Sequence, residues 1–285
     1  MGSRVTDLGL LDPSSIRRIA AELDLKPTKQ RGQNFVHDAN TVRRIVGLAA
    51  VAADDVVLEI GPGLGSLTLG LLETGASVTA IEIDERLAGR LPATTRERLG
   101  DDAAGRLRVV TADALQVDAL PGPEPTAVVA NLPYNVSVPV LLRLLELFDG
   151  WRRGLVMVQL EVADRLVAAP GSKVYGVPSA KMAWWASAGR VGTVPPTVFW
   201  PVPNVDSGLV RIERRDPPPG DRRATFAVID AAFAQRRKML RSALAGLFGS
   251  STAASAAVEA AGLDPTARGE SLAVGDFAAI AAQLR

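Results

Sequence analysis

Between residues 56 and 160, short apolar runs suited to strands alternate with longer stretches suited to helices, and this alternation constrains the fold more than any other feature. The strand-like runs are 56–60, 78–83, 107–111, 127–130 and 155–160, and helix-like stretches at 67–72, 87–99 and 140–148 lie among them. Near-continuous apolar strands need cover on both faces, so the pattern predicts a parallel sheet with helices on either side. Sheets of this kind take ligands outside the carboxyl ends of their strands. The residues that end each run are therefore the first candidates for a site.

The first run leads into Glu59-Ile60-Gly61-Pro62-Gly63-Leu64-Gly65, a glycine-rich loop before a helix, where the backbone can approach a nucleoside-bearing cofactor. Its Gly-x-Gly-x-Gly spacing differs from the Gly-x-Gly-x-x-Gly of dinucleotide sites, and Pro62 removes an N–H that a pyrophosphate cradle would use. For the loop alone, a structural turn or a dinucleotide loop stays open. Glu82 ends the second run, where an acid can accept both ribose hydroxyls, and Asp113 follows the third, where it can accept from an adenine amino group. The fourth run ends in Asn131-Leu132-Pro133-Tyr134. An asparagine side-chain oxygen and the Leu132 carbonyl can accept hydrogen bonds from a planar amine, Pro133 stiffens the turn, and Tyr134 offers a ring to stack on the attached base. A proline-stiffened βα turn is the plainer reading of the same four residues.

Outside this region the chain changes character. Asp12-Pro13-Ser14-Ser15 starts a short amphipathic helix carrying Ile16, Ile19, Ala20 and Leu23, and the basic stretch 26–35 reads as a loop. Runs at 182–186 and 209–212 are expected to add a pair of edge strands. The stretch 214–221, with Pro217-Pro218-Pro219, reads as a stiff linker. After it, Phe226, Ile229, Phe233, Leu240, Leu244 and Leu247 recur at helical spacing, which places the basic run Arg236-Arg237-Lys238 on a predicted helix. The expected domains are a helical extension at 1–26, an α/β domain at 27–215 and an all-α domain at 221–285.

Composition closes several routes. With no cysteine among 285 residues, disulfides, thiolate nucleophiles and cysteine-held zinc are excluded, and no metal site is expected. His37 is the only histidine and stands near nothing resembling a nucleophile elbow, so it reads as a loop residue. No apolar run approaches the roughly 20 residues of a membrane span, and no basic-then-apolar leader opens the chain. A cytoplasmic location without membrane association is expected. The formal net charge is +1, but lysine and arginine crowd one stretch near each end, which allows a basic patch on a nearly neutral protein.

Taken together, these motifs resemble the KsgA/RsmA family of small-subunit ribosomal RNA adenine dimethyltransferases. The resemblance is carried by Gly32-Gln33-Asn34-Phe35, the loop from Glu59 to Gly65, Asn131 to Asn135, Lys173-Val174-Tyr175-Gly176, Phe199 with Pro201, Pro203, Val205, Asp206 and Ser207, and Gln235-Arg236-Arg237-Lys238. Val36, Leu160 and Trp200 depart from the family's usual residues. The resemblance implies a class I S-adenosylmethionine-dependent methyltransferase, with a Rossmann-like, mostly parallel seven-stranded sheet and a small C-terminal helical domain. It implies that Gln33, Asn34, Val36, Gly61, Gly63, Glu82, Ile83, Asp113, Ala114 and Asn131 contact S-adenosylmethionine, which leaves as S-adenosylhomocysteine. It further implies that Asn131, Leu132, Pro133 and Tyr134 hold a target adenine with Phe199 as a second aromatic wall, and that Arg236, Arg237 and Lys238 bind RNA. The implied substrate is small-subunit rRNA in an immature ribosomal subunit, acted on by a monomer that makes N6,N6-dimethyladenosine and aids subunit biogenesis. Two alternatives are a large-subunit rRNA adenine methyltransferase of the antibiotic-resistance type and a mainly non-catalytic assembly factor.

Overall fold

The structure is a computed structural model and describes residues 9–25 and 34–284. In chain order its elements are α1 (Pro13–Glu22), β1 (Phe35–Val36), α2 (Ala39–Ala49), β2 (Val56–Ile60), α3 (Ser66–Glu73), β3 (Ser77–Glu82), α4 (Glu85–Gly105), β4 (Leu107–Thr111), β5 (Ala127–Asn131), α5 (Ser137–Leu147), β6 (Arg153–Gln159), α6 (Leu160–Leu166), α7 (Val177–Met182), β7 (Ala186–Val194), β8 (Phe199–Trp200), β9 (Ser207–Arg214), α8 (Arg222–Ala234), α9 (Leu240–Ala243), α10 (Ala245–Phe248), α11 (Ser251–Ala260) and α12 (Val274–Ala281). The chain divides into two compact units, one taking the described residues up to Ala163 and Gly189–Glu213, the other Asp164–Ala188 and residues from Arg214 onward. Residues 164–188 thus cluster with the C-terminal helices and not with the expected 27–215 block, because Tyr175 and Ala180 are buried in the helical core.

The first unit is built on a seven-stranded sheet in the order β4-β3-β2-β5-β6-β9-β7, with β2 to β6 parallel and β9 antiparallel to β6. From β2 the chain winds outward through β3 and β4, then returns to lay β5 and β6 on the other side. This reversal between β2 and β5 opens a crevice at their carboxyl ends. Val57, Leu58, Val78, Ala80, Val128, Val129, Leu155 and Val156 are almost wholly buried, as strands covered on both faces require. Helix starts are set locally: the Asp38 side chain accepts from the Thr41 N–H and the Asp84 side chain from the Arg86 N–H. In α1 the Asp12 carboxylate accepts from the Ser15 N–H, and Ile16, Ile19 and Ala20 join the core of this unit.

Three expectations need correcting. Residues 182–186 do not form a strand: Met182 ends α7, and the strand runs from Ala186 to Val194. Its sequence is rich in glycine, serine and threonine and largely exposed, as suits the edge strand that it is, so it carries no apolar run. Residues 209–212 do lie in a strand, β9, but it is interior, between β6 and β7. Finally, α8 stops at Ala234, and Gln235, with φ −126° and ψ 51°, turns the chain so that residues 236–238 form a turn before α9.

In the second unit Val228, Ile229, Leu240, Leu244 and Phe277 form the core, and the Tyr175 hydroxyl donates to the Leu272 carbonyl at 2.8 Å. Phe226 meets Trp184 and Trp185 edge-on.

Candidate cofactor and substrate site

A cavity of about 1000 Å³ lies over the carboxyl ends of β2, β3, β4 and β5, all within the first unit. Its walls include Asn34, Val36, Gly61, Gly63, Glu82, Ile83, Asp113, Ala114, Asn131 and Pro133. Gln33 lies outside the described residues, as do Lys26, Lys29 and Arg31.

The glycine loop forms one wall. Gly63 has φ +58°, and a Cβ there would stand 2.7 Å from the Phe35 ring, so the position tolerates nothing larger than hydrogen. Its N–H donates to Glu82 Oε2 at 3.1 Å, while the Asp84 N–H donates to Glu82 Oε1 at 3.0 Å. Burial pushes the Glu82 carboxyl up, and these backbone donors oppose the shift. Beside it Ile83 is 68% exposed, an apolar side chain left over the cavity with no core to enter. Across the cavity Asp113 accepts from the Leu115 N–H at 2.9 Å. A carboxylate at the end of β3, an exposed isoleucine next to it and a second carboxylate after β4 thus stand in order along one side of the cavity.

Asn131 closes the opposite side. Its Nδ2 donates to the Asn34 carbonyl at 3.1 Å, and since only the amide NH2 can serve a carbonyl, the side chain's orientation is fixed by its partner. Leu132 is buried and its N–H donates to the Met157 carbonyl, extending the β5–β6 ladder by one bond. Tyr134 is half-buried, with its hydroxyl 2.7 Å from Ser207 Oγ; burial raises its pKa against that hydrogen bond, so the phenol stays neutral. The Tyr134 ring does not line the cavity, and Phe199 is fully buried in the core with its backbone paired to Val36. Neither ring of the expected aromatic pair therefore stands in this cavity: the Phe199 side chain fills the core, and Tyr134 is held beside Ser207.

Several wall residues escaped the sequence reading. Phe35 roofs Gly63, and the Ser66 hydroxyl donates to the Val36 carbonyl. Glu59 is wholly buried beneath the loop, accepting from the Thr68 hydroxyl at 2.7 Å, and burial lifts its pKa to about 8, the Thr68 bond opposing and the Glu82 charge adding. Its place before the glycines was the one signal available. Among the described residues no cluster of three or more histidine, cysteine or acidic side chains could hold a metal, and no helix is long and apolar enough to cross a membrane.

In the second unit the basic run divides. Arg236 Nε donates to Glu270 at 2.8 Å and its Nη2 to the Lys173 carbonyl at 2.7 Å, whereas Arg237 and Lys238 are exposed.

The family model for ribosomal RNA adenine dimethylase matches residues 24–285. The chain belongs to this family. As one of its members, it is a methyltransferase acting on rRNA adenine with S-adenosylmethionine as methyl donor, and the cavity at the strand ends, lined by the glycine loop, Glu82 and Asp113, is of a size and chemistry that suits such a donor. Relatives include "Ribosomal RNA small subunit methyltransferase A" of Cutibacterium acnes, 68% identical over 97% of this chain and 95% of the relative, and the protein of the same name from Streptomyces coelicolor, 60% identical over 98% of each. Among solved structures, a dimethyladenosine transferase from Plasmodium falciparum shares the fold, with a TM-score of 0.72 at 21% identity over 86% of this chain and 95% of that one. The 23S rRNA methyltransferase ErmE aligns with a TM-score of 0.62 at 29% identity, over 88% and 99%.

Proposed function

We propose that this dimethylase modifies the N6 amino groups of two adjacent adenosines in a hairpin loop near the 3′ end of small-subunit rRNA, and that in doing so it contributes to small-subunit biogenesis. The substrate assignment is supported by relatives of 60% identity and more that are named for the small subunit, against 29% for the large-subunit enzyme ErmE. We take the working unit to be a monomer. An rRNA substrate supports a cytoplasmic location.

The observation that carries the chemistry is the Asn131–Asn34 hydrogen bond. With Nδ2 committed to the Asn34 carbonyl, Oδ1 is the atom that Asn131 can turn toward a substrate amine. When bound, S-adenosylmethionine supplies an activated methyl group. Glu82 and Asp113 hold its ribose and adenine in this reading, with Asn34, Val36, Gly61, Gly63, Ile83 and Ala114 packed around it. Asn131 Oδ1 and the Leu132 carbonyl accept the two N–H bonds of the adenine amino group, which localises the nitrogen lone pair and stabilises positive charge developing there. After the first methylation one of these bonds is dispensable, so a second can follow. The proton passes to water, and no strong base is needed.

Extruding the base costs a few kcal/mol, less in a hairpin loop than in a helix, and stacking on Tyr134 offsets part of it at about 1–3 kcal/mol. The bond to Ser207 holds the Tyr134 ring in one orientation. Phe199 pairs with Val36 through the backbone, and in this reading Arg237 and Lys238 meet rRNA phosphates. Incubation with unmethylated small and large subunits, followed by digestion and mass analysis of the adenosines, tests this reading. Dimethyladenosine from the small subunit alone is expected; product from the large subunit alone would end it.

A further inference from the structure

Four attachments, all to residues distant in the chain, hold the segment 34–37 as a wall of the cofactor cavity. The Asn34 carbonyl takes the Asn131 amide, and the Val36 carbonyl takes the Ser66 hydroxyl. The His37 N–H donates to the Val198 carbonyl at 2.9 Å, and β1 pairs with β8 so that Phe35 faces Trp200 and Val36 faces Phe199. The fourth attachment is made of rings. Phe35 lies on Gly63, and Trp200 stacks on Phe35 with ring centroids 6.3 Å apart and planes 26° from parallel. Phe35 is buried, while Trp200 is only half-buried and forms the outer layer of the stack.

We infer that Trp200 is a positioning residue for the cofactor: its indole presses Phe35 onto the glycine loop and so fixes the backbone of residues 34–36 as one wall of the cavity. The reason is mechanical. Phe35 touches Gly63, which has no side chain to lock it, and Trp200 is the ring stacked on it. Without the indole, Phe35 can swing outward and the wall it carries loosens. This rests on the assignment of the cavity to S-adenosylmethionine.

The test is calorimetric titration of the full chain with S-adenosylhomocysteine, with melting curves recorded in parallel. Stacked aromatic pairs are worth enough that Trp200→Leu should bind about two- to tenfold more weakly. Trp200→Phe should restore most of the loss, and Phe35→Leu combined with Trp200→Leu should bind no more weakly than Phe35→Leu alone. Unchanged affinity in Trp200→Leu, or losses that simply add, would overturn the inference. Hydrogen exchange of the unmutated protein gives a check that no folding defect can disturb: ligand should slow exchange at the His37 amide and within β8 together. Slowing at the glycine loop with none at 35–37 or 199–200 would also overturn it. Failure of the unmutated protein to bind S-adenosylhomocysteine would instead remove the cofactor assignment, and this inference with it.

Discussion

Asn131 and Asn34 stand 97 residues apart in sequence and are joined at 3.1 Å, amide to carbonyl, across the mouth of the cavity. One side chain thereby ties the loop after β5 to the segment 34–36 that lines the other side of the cavity. Replacing Asn131 with aspartate would place a carboxylate oxygen against the Asn34 carbonyl, with no N–H between them. Methyl transfer should fall by about 10²–10³ in Asn131→Asp or Asn131→Ala, by analogy with loss of one preorganised hydrogen bond at a reacting centre. Binding of RNA in the absence of cofactor should stay unchanged. Single-turnover assays on unmethylated subunits, paired with filter binding, check both.

Gly63→Ala should damage stability and cofactor binding together. The added methyl meets Phe35 at 2.7 Å from a backbone with φ +58°, and strain of this kind costs about 1–3 kcal/mol. A lowered melting temperature with at least a tenfold loss of S-adenosylhomocysteine affinity is expected. Normal affinity would mean that the loop shifts freely.

Glu59 gives the protein an unusual pH dependence. Its carboxyl sits at about 8 in the folded protein against an ordinary value of 4.5, chiefly through burial, so the native state holds an extra proton between those values. A raised acid contributes stability that is present at low pH and is lost as pH rises through that window. Glu59→Gln carries no such proton. Urea midpoints taken from pH 5 to 8 should show the unmutated protein losing ground to Glu59→Gln steadily; a constant difference would assign the buried carboxyl an ordinary pKa.

The basic run should separate into two phenotypes. Arg236→Ala removes bonds to Glu270 and to the Lys173 carbonyl, and because both side chains are partly exposed the loss should be about 1 kcal/mol, shared by Glu270→Ala. Arg237→Ala and Lys238→Ala should leave melting unchanged and each reduce the slope of log affinity for rRNA against log salt by about one. Titrations at several salt concentrations distinguish the two.

What could be read in advance follows from how each feature is encoded. Glu82, Asp113 and Asn131 stood out because parallel strands buried on both faces make unbroken apolar runs, and a polar residue at the end of such a run is conspicuous. The pairing of β1 with β8 left no trace, since two-residue strands have no period and their partners lie far apart in the chain. Phe199 showed the same ambiguity from the other side: an aromatic in a proline-rich segment can line a site or fill a core, and only packing decides. Nor could the turn at Gln235 be foreseen, because the apolar spacing continues past it into α9.

The pairing of β1 with β8 also orders events during synthesis. The ribosome delivers the ends of β2, β3, β4 and β5 by residue 131, well before Trp200 emerges. A nascent chain therefore has the floor of the cavity long before it has the strand that secures its cover. On the role inferred for Trp200, S-adenosylmethionine reaches its full affinity only after the later part of the chain that anchors the cover has been made.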